Sequence, residues 1–127
     1  MTIEQLKTLF SGTVTADESE TAVAVYRSQH AAILVNVTAK SGTTPTLVPT
    51  IEISDDFVIF YHRGTVVDHE TQGVLTRTTA PTVEGKIQTT GQYELMLDGN
   101  IGKFMRVSFV LSGTDPSFTL TVKAILT

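Results

Sequence analysis

His62 and His69, with the carboxylates of Asp68 and Glu70, form the one group in this 127-residue chain whose types match metal-ligand chemistry. Two imidazoles and two carboxylates can in principle hold Zn²⁺ or a similar ion. The spacing follows no established ligand pattern, however, and the side chains of residues 68–70 would alternate between faces of a strand. The group therefore reads as a solvated polar loop, and His30, beside Gln29, as a turn histidine that opens a strand. Asp55-Asp56 could coordinate Ca²⁺ with help from Asp98 or Asn100, but no D-x-D-x-D-G loop is present. An acidic turn that stops a strand accounts for the pair equally well. Nucleophilic catalysis would need a serine elbow or a Ser–His pairing, and there is no G-x-S-x-G. No residue predicts a cleft with two spaced carboxylates for glycoside hydrolysis. Gly99-x-x-Gly102 has no helix after it and makes a poor phosphate cradle. The absence of cysteine removes thiol catalysis, disulfides and thiolate metal sites together. The expectation is a chain with no catalytic residues, no metal site and no cofactor, and hence not an enzyme.

Aromatic side chains offer one more possibility. Tyr26, Tyr61 and Tyr93, with Phe57 and Phe60, could line a sugar-stacking platform. Such platforms often use Trp, which is absent, and most of the six Phe sit at alternating strand positions, which is core spacing. A carbohydrate-binding β-sandwich module is thus an alternative rather than the first reading.

The elements that must position these residues are strands. The chain has 22 Thr, 14 Val and 8 Ile, so 44 of its residues are β-branched, stiff at χ1 and suited to a pleated, half-buried surface. Charged residues make up only 17 %, against the usual figure of about a quarter. One domain of this length buries about two thirds of its unfolded surface. The net charge of −4 and the scattering of nine basic residues leave no stripe that could track phosphates, so nucleic acid is not an expected partner. No apolar run approaches the length of a membrane span, and the N-terminus lacks the basic–apolar–small order of a signal peptide. A soluble protein with no membrane partner is expected.

Thr2 to Phe10 is the helical candidate. Thr2 with Gln5 matches a capping box, and Ile3, Leu6, Leu9 and Phe10 share one side. Ser11-Gly12 then stops it. Strand-like runs follow at short spacing: Ala22 to Tyr26, Ala31 to Thr38, Leu47 to Ile53, Phe57 to His62, Gln92 to Leu97, Lys103 to Leu111 and Phe118 to Ile125, with weaker candidates at Val66-Val67, Gly73 to Thr76 and Gly85 to Thr89. Pro49 interrupts its run and marks an edge or a bulge. Asp98-Gly99 is a hairpin signal. The period-two pattern puts Ile33, Val35, Ile51, Val107, Phe109, Phe118 and Leu120 in the core. The predicted fold is all-β: a single antiparallel β-sandwich, jelly-roll-like or immunoglobulin-like, with a short N-terminal helix. Residues 1–12 would be a helical arm and 13–127 the β-sandwich domain, with a polar surface insertion around 63–92.

Two segments nearly repeat each other: Ser41-Gly42-Thr43-Thr44-Pro45-Thr46-Leu47 and Ser112-Gly113-Thr114-Asp115-Pro116-Ser117-Phe118. Each follows an apolar strand-like run and precedes an alternating one. Gly, Pro and hydroxyl residues in this order specify a stiff turn, so the pair predicts two equivalent hairpins at one end of the sandwich.

Between the motifs lies Gly102-Lys103-Phe104-Met105-Arg106-Val107, and this whole order, from Val23 to Val122, resembles a group of small phage virion proteins encoded among head and tail structural genes. The resemblance implies a non-enzymatic structural protein of a phage particle that works through protein–protein contacts. A capsid decoration or stabilising protein comes first and a neck or tail component second. It implies virion localisation after assembly in the host cytoplasm, other virion proteins as partners (the major capsid or a neck or tail protein), and a homo-oligomer. On that reading the contact residues would be Ile3, Leu6, Leu9 and Phe10 in the arm, and Val66, Val67, Val74, Leu75 and Arg77 in the insertion.

Overall fold

A computed structural model describes residues 5–25, 28–65, 86–88, 90–99 and 101–127. Seven strands occur among them: β1 Gln5–Val14, β2 Glu18–Ser19, β3 Val23–Ala24, β4 His30–Ser54, β5 Tyr61–Thr65, β6 Gly91–Asp98 and β7 Phe104–Leu126. All pairings are antiparallel and belong to one hydrogen-bonded sheet.

Its spine is a ribbon of two long strands. β4 runs against β7 from Ala31 opposite Leu126 to Ser54 opposite Phe104. Near one end of this ribbon, β6 adds to β4 and β1 adds to β7; near the other, β5 adds to β4 while β2 and β3 add to β7. The ribbon is folded over on itself. Phe10 lies beside Val122 in the ladder, thirteen residues along β7 from Phe109, a distance of roughly 43 Å in a straight strand. Yet the Phe10 and Phe109 rings meet edge to face at 5.0 Å. Inward side chains from both ends of the ribbon accordingly form one apolar cluster, which includes Ile33, Val35, Leu47, Ile51, Met105, Val107, Phe109, Phe118, Leu120 and Val122. All seven residues that the alternation assigned to the core are buried there.

The fold-over occurs at the repeated motifs, and here the hairpin expectation is corrected. Neither motif reverses the chain. Each lies inside a long strand and they face one another, with Thr43 opposite Thr114 and register shifts on either side. Their backbones match: φ is +108° at both Gly42 and Gly113, +45° at Thr44 and +49° at Asp115. A β-carbon on Gly42 would stand 2.5 Å from the Asp115 carbonyl oxygen, and one on Gly113 2.6 Å from that of Thr44. Glycine is required at both places because the two backbones touch and φ is positive. The motifs are a matched pair of bulged corners of the kind that lets a strand pass from one layer to the next. Where two separate sheets of a sandwich were expected, hydrogen bonding is continuous through these corners.

The expected helix over Thr2–Phe10 is also corrected, since residues 5–10 are strand. β1 pairs with β7 from Gln5 opposite Leu126 to Val14 opposite Phe118, and its register slips between Thr8 and Phe10. Leu9 is the extra residue. The bulge lets adjacent Leu9 and Phe10 both reach the core, which broke the alternation and imitated helical spacing. An isolated nine-residue helix is marginal in water, whereas this strand completes a ladder.

Pro49 lies within β4, opposite Phe109. Two residues earlier, Leu47 N donates to Ile87 O on the side away from β7. Pro49 faces that same side, and among the described residues the pairing with β5 starts at the next position, Thr50 opposite Thr65. Asp98-Gly99 does not close a hairpin, because β6 pairs with β4 and not with β7. Of the expected insertion, residues 63–65 are in β5 and 91–92 in β6, while 66–85 and 89 lie outside the described residues.

Candidate interaction surface

β4 ends at Ser54, and the next seven residues build an exposed apolar projection. The buried Ser54 hydroxyl donates to Asp56 Oδ1 at 3.0 Å and accepts from the backbone N–H of Asp56 (3.3 Å) and Phe57 (3.0 Å). Asp56 Oδ1 in turn accepts from Val58 N and Ile59 N, each at 2.9 Å. These two side chains replace the backbone partners that a turn lacks. They also hold Phe57 at φ +64°, a left-handed conformation that a bulky residue adopts only under constraint. Bonds from Ile59 and Val58 N–H, then from the Ser54 hydroxyl, hold the Asp56 carboxyl below the usual carboxylate range.

The turn presents Phe57, Val58, Ile59, Phe60 and Tyr61 in succession. Phe57 is 50 % exposed, Val58 78 %, Ile59 54 % and Tyr61 64 %. Behind them, Phe57 packs edge to face on Phe104 at 5.0 Å and on Phe60 at 6.2 Å. The Arg106 guanidinium lies 3.8 Å from the Phe60 ring centroid, and its Nε donates to Glu52 Oε1 at 3.0 Å. Ser108 Oγ also donates to Glu52, and pairs with Ser19 Oγ at 2.8 Å. Asp55 Oδ1 accepts from Lys103 N at 3.2 Å. A network across β2, β7 and β4 thus braces the base of the projection. Large apolar residues exposed together in this way make the projection a candidate contact surface.

Sequence reasoning read 57–62 as a strand and assigned most of its aromatics to the core. Two signals pointed elsewhere. Five apolar residues in a row have no period of two, and Ser54-Asp55-Asp56 before them is turn chemistry. The acidic-turn reading of Asp55-Asp56 fits what is found.

Of the residues proposed from sequence as contacts, Leu6, Leu9 and Phe10 lie among the described residues. Leu6 is 61 % exposed on β1, whereas Leu9 is buried and Phe10 is packed on Phe109. Ile3, Val66, Val67, Val74, Leu75 and Arg77 lie outside the described residues, as do Asp68, His69 and Glu70. His62 is on β5, and His30 Nδ1 pairs with Asp98 Oδ1 at 2.9 Å on the surface. Among the described residues, no three His, Asp or Glu side chains are grouped to hold a metal ion. Of the candidate sugar-stacking rings, Tyr93 is buried and Phe57, Phe60 and Tyr61 belong to the projection, while Tyr26 lies outside the described residues.

One titrating group was not singled out from the sequence. Glu20, which follows β2, has its carboxyl pushed up to about 7, first by desolvation and then by a hydrogen bond to, and the charge of, neighbouring Glu18. Glu20 Oε2 is buried with no hydrogen-bond partner.

No protein-family model matches the chain, and no curated protein matches it in sequence. In structure it is similar to the SPBc2 prophage-derived protein YomS, with a TM-score of 0.50 at 13 % identity, over 99 % of this chain and 96 % of that one. A chain of infectious bursal disease virus, Gx strain, aligns at a TM-score of 0.40 and 12 % identity, over 97 % of this chain and 28 % of that one, and no argument rests on it. The first likeness is one of fold.

Proposed function

We propose that this chain is a non-enzymatic structural component of a phage particle that works by protein–protein contact, with capsid decoration as its first role and a neck or tail position as the second. The observation that carries the reading is the braced apolar projection at 57–61, a recognition element built on a scaffold whose sequence resembles small virion proteins. A full-length fold likeness to a prophage-derived protein is compatible with it. A particle component needs a stiff body and a surface that buries apolar area against a neighbour. Many copies on one particle multiply modest single contacts. Particle symmetry favours a closed ring or trimer of copies.

Mass spectrometry of purified particles from the phage that encodes this chain is the test. The protein should be present in many copies, and electron microscopy of particles with and without it should show density lost from the head surface. Loss at the neck or tail would select the second role. Absence from purified particles would overturn the proposal.

A further inference from the structure

We propose that the outer face of the layer formed by β1, β7, β4 and β6 is a self-association surface, on which a second copy of this chain packs about a two-fold axis running along β4. The inference concerns the free protein and does not rest on the virion reading; the contact adds to any that a particle imposes.

The face of an antiparallel sheet that is turned away from the core is normally polar. Here the outward positions between the buried Ala31, Ile33 and Val35 of β4 are Ala32 and Leu34, and the register carries that outward side across four strands. Leu6, Ile125, Ala32 and Met96 stand side by side on β1, β7, β4 and β6. They make an unbroken apolar row, with Leu6 61 % and Met96 45 % exposed. The next row holds Lys123, Leu34 and Glu94 on β7, β4 and β6. Lys123 and Glu94 are half-buried and two strands apart, roughly 10 Å. Neither forms an ion pair among the described residues. Each lacks the partner that a charge set among apolar side chains calls for.

A second copy supplies both partners at once. A two-fold axis along β4 lays β7 of one copy over β6 of the other, so that Lys123 meets Glu94, Ile125 meets Met96 and Thr121 meets Gln92, each pairing occurring twice. Leu34 meets its own copy on the axis, between the two charge pairs. Opposite charges facing each other at both places fix the register of the contact. Sheets stack in this way about 10 Å apart, with strand directions within about 30°. Four strands are roughly 19 Å across, and the eight residues of β6 are roughly 27 Å long, which makes a flat face of about 500 Å². Two such faces bring together about 1,000 Å², the lower bound for a specific interface. A weak, reversible dimer is expected.

The experiment measures the sedimentation mass of the purified protein over about 1 to 300 μM, a range that spans weak association. The mass should rise with concentration from one chain to two. Glu94→Lys and Lys123→Glu each set like charges against one another at both pairings, and each should weaken the dimer roughly tenfold or more. The double variant, Glu94→Lys with Lys123→Glu, restores opposite charges and should return the dimer to within about threefold of wild type. These positions face outward, so circular dichroism and monomer melting should stay unchanged. Met96→Glu, at an exposed position, should also weaken the dimer, and decides the surface where a charge variant fails to fold. A wild type that stays monomeric throughout, or closes as a trimer, would overturn the proposal. Dimers left intact by Met96→Glu and by both single charge variants would move the contact to another surface and overturn it too. A double variant as weak as the singles would overturn the two-fold pairing. A monomeric wild type that binds phage particles, and stops doing so on Met96→Glu, would give this face to a particle protein instead.

Discussion

Gly42 and Gly113 show how narrow the chemical choice is where the two long strands touch. A methyl group at either would enter the carbonyl of the facing motif while its own backbone holds φ at +108°. Gly42→Ala and Gly113→Ala should each destabilise the protein by roughly 2–4 kcal/mol, and by similar amounts, in thermal or denaturant unfolding. Unequal effects would argue against equivalent corners. Phe109 and Phe118 are fully buried, and truncation of either to Ala should cost about 3–5 kcal/mol. The pH dependence has two parts of opposite sign. The Glu20 carboxyl is raised from 4.5 to about 7, so the folded state prefers it protonated. Its contribution is complete below about pH 4.5 and is lost as the pH rises through about 7. Asp56 is lowered from 3.8, so its contribution is present above that value and is lost as the pH falls below it. Melting temperatures should therefore decline between about pH 4.5 and 7, and Glu20→Gln should flatten that slope while leaving the acid limb in place.

At the scale of elements, β1 is the strand whose removal tells most. It carries Leu9 and Val14 into the core and covers β7 from Phe118 to Leu126. Deleting residues 1–14 should lower the melting temperature sharply or leave the protein aggregated, because an apolar ladder edge would be uncovered. A truncated protein that keeps its sheet signal and stability would mean that the strand is dispensable and that the sequence-based idea of a detachable arm was right after all. The 57–61 turn depends on short-range bonds instead. Asp56→Ala strips the partner from Val58 and Ile59 N–H, and hydrogen exchange at those two amides should accelerate while amides of the β4–β7 ladder stay protected.

Across the whole molecule, the spine joins residues far apart in the chain. Ala31 pairs with Leu126 and Ser54 with Phe104, so loop closure precedes almost every stabilising contact. Refolding should take milliseconds to seconds. A microsecond phase carrying most of the amplitude would contradict a sheet assembled from its ends.

Period-two alternation was enough to show a β-dominated chain and the inward face of β4 and β7, because side-chain direction in a strand follows from local geometry alone. Ile33, Val35, Ile51, Val107, Phe109, Phe118 and Leu120 were readable for that reason. The repeated Ser-Gly-Thr-x-Pro segments also announced their equivalence, since identical residue types impose the same φ preferences wherever they stand. Which strands would pair across them was not written locally. A stiff Gly–Pro segment can close a hairpin or turn a corner, and the choice fell to the partner that offered the longer ladder, which for each long strand was the other one. Leu6, Leu9 and Phe10 were misread as a helical side because a bulge, a property of the β1–β7 pair and not of β1, inserts one residue into the alternation. The aromatic run at 57–61 was taken mostly for core because hydrophobicity alone does not say what will cover a side chain. Ser54 and Asp56 lock the turn outward, and only the packed sheet beneath it decided that those residues would face away.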